Sequence, residues 1–147
     1  MKQCTVIGAG TMGNGIAHVF ASKGYDVALY DLHQSSLDKG LATIEKNLDR
    51  QVSKDLLTAH EAKTARQRIH CHLNLGEAVK GSGIVIEAAT ENEALKLSIF
   101  KELDALCDPE TILATNTSSI AIGKIAAATQ RPDKVIGMHF MNPVPVM

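Results

Sequence analysis

The chain has 147 residues, of which 45% are apolar and 21% charged, and its formal net charge is −1. This composition is typical of one globular domain with a single core. The absence of tryptophan and the 3% content of aromatic residues exclude a base-stacking platform, and the balanced charge excludes a basic surface for nucleic acid. No apolar run reaches the roughly 18 residues that a transmembrane helix needs, and the amino terminus lacks the pattern of a targeting peptide. We therefore expect a cytoplasmic domain with no nucleic-acid or membrane partner.

The first thirty residues predict a strand, a glycine-rich turn, a helix and a second strand. An apolar run over residues 3 to 7 precedes the glycine-rich stretch GAGTMGNG, residues 8 to 15. Apolar residues then recur at helical spacing, at Met12, Ile16, Val19 and Phe20. A second apolar run over residues 26 to 30 ends at Asp31. A β–α–β unit of this length predicts a parallel sheet.

Residues 35 to 68 predict a different structure, a pair of amphipathic helices. The segment is polar and mixed in charge, and its apolar residues recur at intervals of three and four, at Leu37, Leu41, Ile44, Leu48 and Val52. This interval is typical of a helix with one buried face. We expect a break near residues 53 to 58 and a two-helix arm on the sheet.

The remaining sequence again alternates between strands and helices. Strands are predicted over residues 69 to 73, 83 to 89, 111 to 116 and 134 to 140, and helices over residues 93 to 106 and 120 to 128. In the helix 93 to 106 we expect four residues to face the core: Leu95, Ile99, Leu103 and Leu106. The prediction is an α/β fold, a Rossmann-type doubly wound parallel sheet over residues 1 to 147, with the inserted helical arm at about 35 to 68.

Three glycines of the first turn indicate a dinucleotide site. Gly8, Gly10 and Gly13 form GxGxxG between a strand and a helix. In that motif the first glycine permits the tight turn, the second lets the backbone approach the pyrophosphate, and the third lets helix and strand pack closely. Asp31 follows Gly13 by 18 residues, where a carboxylate accepts hydrogen bonds from the ribose hydroxyls. Because Leu32 follows instead of an arginine, we expect NAD rather than NADP.

Ser118 and His139 are candidates for the chemistry of the site. Ser118 follows one predicted strand and His139 lies in the last one. Ligands bind beside the carboxyl ends of strands in such sheets, so the two side chains are expected to converge. An imidazole suits the removal of a hydroxyl proton during dehydrogenation. A single histidine more often serves a structural role, and the residue pattern alone leaves both interpretations open.

Four motifs in order, GAGTMGNGIA, IEAATEN, TNTSS and MHFMNPVP, resemble the NAD-binding domain of the 3-hydroxyacyl-CoA dehydrogenases, of the short-chain or 3-hydroxybutyryl-CoA type. The resemblance runs from residue 2 to the last residue. It implies hydride transfer between NAD and a 3-hydroxyacyl-CoA or 3-oxoacyl-CoA substrate in fatty-acid metabolism. By this resemblance His139 is the general base, Ser118 binds the substrate hydroxyl or thioester, and Asn142 lies beside nicotinamide and substrate.

The resemblance also extends the set of expected binding residues. Cofactor contacts are expected from the glycine turn and from polar residues near the other strand ends: Gly8, Ala9, Gly10, Thr11, Met12, Gly13, Asp31, Glu91, Lys96, Asn116, Ser118 and Asn142. The arm is expected to lie over the CoA moiety, with Lys54 as its phosphate contact.

In the family, a glutamate beyond the catalytic histidine orients it, and a helical second domain completes the acyl pocket and the dimer interface. This chain ends eight residues after His139, so we expect a cofactor half that lacks the helical domain and is weakly active or inactive alone. Full-length relatives are expected to be homodimers through that domain.

Two other functions stay open at this point. A β-hydroxyacid dehydrogenase of the 6-phosphogluconate type shares the glycine turn, but its catalytic lysine lies beyond the first domain and HFMNPVP is not its signature. The other alternative is a non-catalytic NAD-binding fragment.

No metal site is expected. His70 and His72 are two residues apart, but no third ligand is near in sequence. Cys4, Cys71 and Cys107 lack CxxC spacing, and we interpret them as reduced core thiols.

Overall fold

The computed structural model describes residues 3–147. In this range six strands alternate with helices: β1 (Gln3–Ile7), β2 (Asp26–Tyr30), β3 (Ile69–His72), β4 (Ile84–Glu87), β5 (Ile112–Thr115) and β6 (Val135–Gly137). The helices are α1 (Thr11–Ser22), α2 (Gln34–Ser53), α3 (Ala59–Gln67), α4 (Leu75–Val79), α5 (Glu93–Leu106) and α6 (Ile122–Ala126), and two 3-10 helices cover Pro132–Lys134 and Val144–Val146. Within these residues no helix is both long and apolar enough to cross a bilayer.

The strands form one parallel sheet in the order β3-β2-β1-β4-β5-β6. The connections run outward from β1 on one side and from β4 on the other, so the order reverses between these two strands. A crevice therefore opens at their carboxyl ends, where ligands bind in this architecture. The predicted Rossmann-type fold is confirmed.

Two apolar clusters cover the two faces of the sheet. One joins α1 and α2 to the sheet through residues such as Ile16, Ile44 and Leu48. The other joins α5 and α6 to the opposite face through residues such as Phe100 and Ile125. Because both faces are buried, the central strands β1, β4 and β5 are mostly apolar, as is typical of parallel sheets.

The segment predicted as an arm contains α2 and α3, and the break between them lies where it was expected. Thr58 begins α3 with a reciprocal cap, in which its hydroxyl accepts from the Glu61 backbone N–H and the Glu61 carboxylate accepts from the Thr58 N–H. Gly40 lets α2 approach the glycine turn closely, since a Cβ there would lie 2.8 Å from the carbonyl oxygen of Ala9.

The predicted inner face of α5 is wrong in part. Leu95 and Leu106 are 42% and 45% exposed, whereas Lys96, Phe100 and Leu103 are buried. The buried face is therefore shifted by one residue at the start of the helix. The shift has a polar cause, because the buried ammonium of Lys96 binds a carboxylate on β4.

The predicted strand over residues 134 to 140 is also too long. β6 ends at Gly137, and the Met138 N–H still donates to the Thr115 carbonyl at 2.8 Å. The Phe140 N–H then donates to the side-chain oxygen of Asn116 at 2.8 Å, which draws the chain out of the strand. β1 and β2 have the predicted bounds. β3, β4, β5 and α6 are one or two residues shorter than predicted at one or both ends, and α4 was not predicted.

His18 connects α1 to the arm. Its side chain is buried, and its Nε2 lies 2.8 Å from the Gln51 amide oxygen of α2, to which it donates. Its Nδ1 is buried without a partner among the described residues. Burial lowers the pKa of His18, because a charged imidazole in this position loses its hydration.

We expect acid to destabilise the domain through His18. Its pKa is lower in the folded protein than in the unfolded chain, so the unfolded state takes up the proton first as the pH falls below about 6.5. The free energy of unfolding then falls by up to about 1.4 kcal/mol per pH unit. His18→Gln removes this titration, and its melting temperature should fall less than that of the wild type between about pH 7.5 and 5. Equal slopes in the two proteins would contradict the assignment.

Candidate active site

The glycine turn after β1 is shaped by close backbone contacts. Gly8 has φ +100°, a left-handed conformation that favours glycine, and a Cβ there would lie 2.9 Å from the Ala88 carbonyl oxygen. At Gly13 a Cβ would lie only 1.7 Å from the Gly8 carbonyl oxygen. At Gly10, by contrast, a Cβ would meet no atom within 4 Å. The turn is thus packed on the protein side and open at Gly10.

The amino terminus of α1 is built to receive an anion. Gly10 caps the helix without a side-chain hydrogen bond, and the first turn contains no acidic residue. The first N–H groups of this 12-residue helix therefore have no side-chain acceptor, and the positive end of the helix dipole points the same way. A pyrophosphate fits this surface.

Asp31 lies at the end of β2 and is held beside the glycine turn. One carboxylate oxygen accepts from the Ala9 N–H at 3.0 Å, and the other accepts from the His33 N–H at 3.1 Å. The side chain of Leu32 is 73% exposed and offers no positive charge. The arrangement suits a ribose with free hydroxyls better than one that carries a phosphate.

A cavity of about 350 Å³ lies at the carboxyl ends of the central strands. Seven of the residues predicted from the sequence line it together: Met12, Glu91, Lys96, Asn116, Ser118, His139 and Asn142. Ala88, Ala89, Phe140 and Met141 complete its wall. The cavity, called the pocket below, thus joins the first turn of α1 to the segments that carry the candidate chemistry.

Hydrogen bonds on both sides of His139 hold its backbone at the pocket. The residue before it donates to the carbonyl of Thr115, and the residue after it donates to the side chain of Asn116. The ring of Phe140 packs edge-on against Phe20 of α1, with centroids 6.4 Å apart. The backbone at His139 is therefore held between the end of β5 and α1, and the His139 side chain itself is exposed.

Glu91 holds Ser118 in the pocket. One Glu91 oxygen accepts from the Thr117 hydroxyl. The other accepts from the Ser118 backbone N–H at 3.2 Å and from its hydroxyl at 3.3 Å. The hydrogen bond from Thr117 is the largest cause of a lowered pKa of Glu91, so the group is a carboxylate at neutral pH.

Lys96 lies at the floor of the pocket, and its main partner was missed by sequence reasoning. Its ammonium donates to both oxygens of Glu87, at 2.8 and 2.7 Å, and lies 3.6 Å from Glu91. Glu87 is fully buried at the end of β4, where it also accepts from the Thr115 hydroxyl and the Ala89 N–H. The one feature of the sequence that could have indicated this partner is that an acidic residue, Glu87, ends an otherwise apolar strand.

Lys54 does not line the pocket. It follows α2, is exposed, and borders a separate cleft of about 180 Å³ between the arm and the segment after Asn142, together with Arg50, Pro143 and Pro145. Arg50 is a second positive charge at this cleft that the sequence interpretation did not include.

Within residues 3–147 no group of three His, Cys, Asp or Glu side chains is placed to hold a metal ion. Burial raises the pKa of Cys4 to about 12 and that of Cys107 to about 11, so both remain thiols. Neither is suited to nucleophilic chemistry.

Comparison with known proteins identifies the family. Residues 3–147 match the family described as "3-hydroxyacyl-CoA dehydrogenase, NAD binding domain". The 3-hydroxybutyryl-CoA dehydrogenase of Bradyrhizobium diazoefficiens is 53% identical, over 100% of this chain and 50% of the relative. A probable 3-hydroxybutyryl-CoA dehydrogenase of Bacillus subtilis is 50% identical, over 100% of this chain and 51% of the relative.

The fold comparison agrees with the sequence comparison. The crystal structure of (S)-3-hydroxybutyryl-CoA dehydrogenase from Ralstonia eutropha matches with a TM-score of 0.97 and 46% identity, covering 100% of this chain and 52% of that one. The chain spans about half the length of the relatives it matches. It belongs to the 3-hydroxyacyl-CoA dehydrogenase family, and residues 3–147 form the NAD-binding domain of that family.

Proposed function

We propose that this chain supplies the cofactor site and the catalytic base of an NAD-dependent dehydrogenase that interconverts 3-hydroxyacyl-CoA and 3-oxoacyl-CoA. One observation carries the proposal: Ser118, His139 and Asn142 line the same pocket as Met12, which lies in the first turn of α1. A hydroxyl, an imidazole and an amide are thereby gathered at the edge of a dinucleotide site. Dehydrogenation of an alcohol needs such groups next to the nicotinamide.

The described residues fit NAD. The open turn at Gly10 and the uncapped start of α1 suit the pyrophosphate, and the Asp31 carboxylate suits the adenosine ribose. Around the pocket, Glu91, Lys96 and Asn116 are the polar groups that we assign to the cofactor. When bound, NAD supplies the acceptor or donor of the hydride.

His139 takes the substrate proton in this proposal. Its imidazole accepts the proton of the 3-hydroxyl group while hydride leaves the same carbon, and returns that proton in the reverse reaction. The Ser118 hydroxyl donates to Glu91 at 3.3 Å; in this proposal it turns from Glu91 to donate to the substrate oxygen, and Asn142 positions substrate and nicotinamide together. Glu91 supports this role of Ser118 because it already accepts from the serine N–H.

We assign the phosphates of CoA to the cleft beside the arm. Lys54 and Arg50 both border it, and two positive side chains are suited to phosphate groups. We further propose a cytoplasmic setting, since all three cysteines are free, as is typical of reducing compartments.

Turnover tests the proposal directly. The chain is joined to the remaining half of the Bradyrhizobium relative, in place of the half that it matches, and acetoacetyl-CoA is offered with NADH. The proposal predicts oxidation of NADH. A folded chimera that binds NADH without turnover would instead favour the non-catalytic NAD-binding alternative.

We expect the chain to bind NADH more tightly than NADPH, because Asp31 repels a 2′-phosphate. Asp31→Ala should weaken NADH binding by about 1.5–3 kcal/mol, the value of hydrogen bonds to a charged acceptor, and narrow the preference. Asp26→Ala is the matched control, since Asp26 is exposed at the opposite end of the same strand. Calorimetry that shows equal affinity of the wild type for NADPH would refute the assignment.

A further inference from the structure

Three charged side chains form a connected group at the pocket: Lys96 and Glu91 line it, and the buried Glu87 binds Lys96 without lining it. Glu87 is 0% exposed and Lys96 is 2% exposed. The Lys96 ammonium contacts both Glu87 oxygens and lies 3.6 Å from the more exposed Glu91. We call these residues the charge triad.

The charge triad has a formal charge of −1, because two carboxylates surround one ammonium. Hydrogen bonds from Thr117 and Ser118 keep Glu91 ionised. His139 is the one further titratable side chain among the residues that line the pocket. Glu87 therefore determines the sign of the charge at this floor, since without its carboxylate the remaining pair sums to zero.

The two redox forms of the cofactor differ in charge at one place. The oxidised nicotinamide ring is a cation, whereas the reduced ring is neutral. A negative floor therefore favours the oxidised form and has much less effect on the reduced one. Glu87 and Lys96 are buried, so their charges act through a lower effective dielectric constant than in water, whereas Glu91 is 41% exposed and its charge is more strongly screened.

We propose that the charge triad sets the relative affinity of the pocket for oxidised and reduced cofactor, with Glu87 as a positioning residue. Glu87 holds the Lys96 ammonium in place and neutralises it, so that Glu91 presents an unbalanced negative charge. The inference rests on the proposed function, because it requires the nicotinamide end of NAD to enter this pocket.

Binding of three ligands tests the inference. The dissociation constants of NAD⁺, NADH and ADP-ribose, which lacks the nicotinamide, are measured at one pH for the wild-type chain and Glu87→Gln. The ratio of the NAD⁺ constant to the NADH constant should rise roughly three- to tenfold in the variant, while ADP-ribose affinity stays unchanged. Thr115→Val is the matched control, because it removes the hydrogen bond to Glu87, and the one that the hydroxyl accepts from the Thr117 N–H, without a change of charge. Its ratio should equal that of the wild type.

Glu91→Gln is the second variant, because Glu91 is partly exposed and its replacement is tolerated more readily by the fold. It removes the same unit of charge and should shift the ratio in the same direction. If Glu87→Gln does not fold, the ratio of the NAD⁺ constant to the NADH constant in Glu91→Gln tests the inference. The inference is overturned if the ratio of the NAD⁺ constant to the NADH constant is unchanged in the folded variants, or if Thr115→Val shifts it equally. Either result would leave the proposed function unaffected. A wild-type chain that binds ADP-ribose as tightly as NADH would contradict the proposed function as well.

Discussion

Gly13→Ala should abolish tight NADH binding and lower the melting temperature clearly. The added Cβ would lie 1.7 Å from the carbonyl oxygen of Gly8 and 2.7 Å from its carbonyl carbon. Both atoms belong to the backbone, so no side-chain rotation relieves the clash. The start of α1 must move away from β1, and the turn to which we assign the pyrophosphate moves with it. Overpacking typically costs about 1–3 kcal/mol of stability. Because these backbone contacts are so short, we expect the cost of Gly13→Ala to lie at the upper end of this range.

Gly123→Ala is the matched control for Gly13→Ala. A Cβ at Gly123 in α6 meets no atom within 4 Å. Because alanine favours helices over glycine by up to about 1 kcal/mol, this variant should be as stable as the wild type or more so, with unchanged NADH affinity. Thermal unfolding and calorimetry give both readouts. A Gly13→Ala protein with the melting temperature and the NADH affinity of the wild type would refute the role of the turn in cofactor binding.

His139→Gln should lower the turnover of acetoacetyl-CoA by the chimera about 10²–10⁴-fold, the usual contribution of a positioned acid–base group. Glutamine keeps a polar side chain of similar size but cannot take up the proton. Met138 and Phe140 bind the Thr115 carbonyl and the Asn116 side chain through their backbone N–H groups, so the pocket should keep its shape and the NADH affinity should change little. The decrease in turnover should therefore appear in kcat.

His60→Gln is the control for this experiment, since His60 is exposed on α3 and does not line the pocket. Its turnover should match that of the unmodified chimera. Turnover by His139→Gln within a few fold of the control would show that another group removes the proton.

Local patterns in the sequence predict most of the fold. The apolar strands, the glycine turn and the helical periodicity of the arm each depend on neighbours along the chain, and the structure confirms all three. The inner face of α5 was not predictable in this way. Leucines at helical spacing indicated one face, but Lys96 turns inward because Glu87, nine residues earlier on another element, binds its ammonium.

The same limit applies to the site. Residues at the carboxyl ends of parallel strands were expected to converge, and Ser118, His139 and Asn142 do line one pocket. The end of β6 was misplaced because Met138 and Phe140 look like strand residues, and the hydrogen bond to the Asn116 side chain has no local signal. Glu87 was missed for the same reason, because its importance lies entirely in partners on other elements.

We propose that one NAD molecule occupies both the glycine turn and the pocket that contains His139. Backbone amide chemical shifts, recorded by NMR with NADH and separately with ADP-ribose, test it most directly. We predict that both ligands shift the signals of Gly8, Gly10 and Asp31, and that NADH alone also shifts those of Ser118 and His139. Identical shift patterns for the two ligands, or a pattern that omits the glycine turn, would contradict the account.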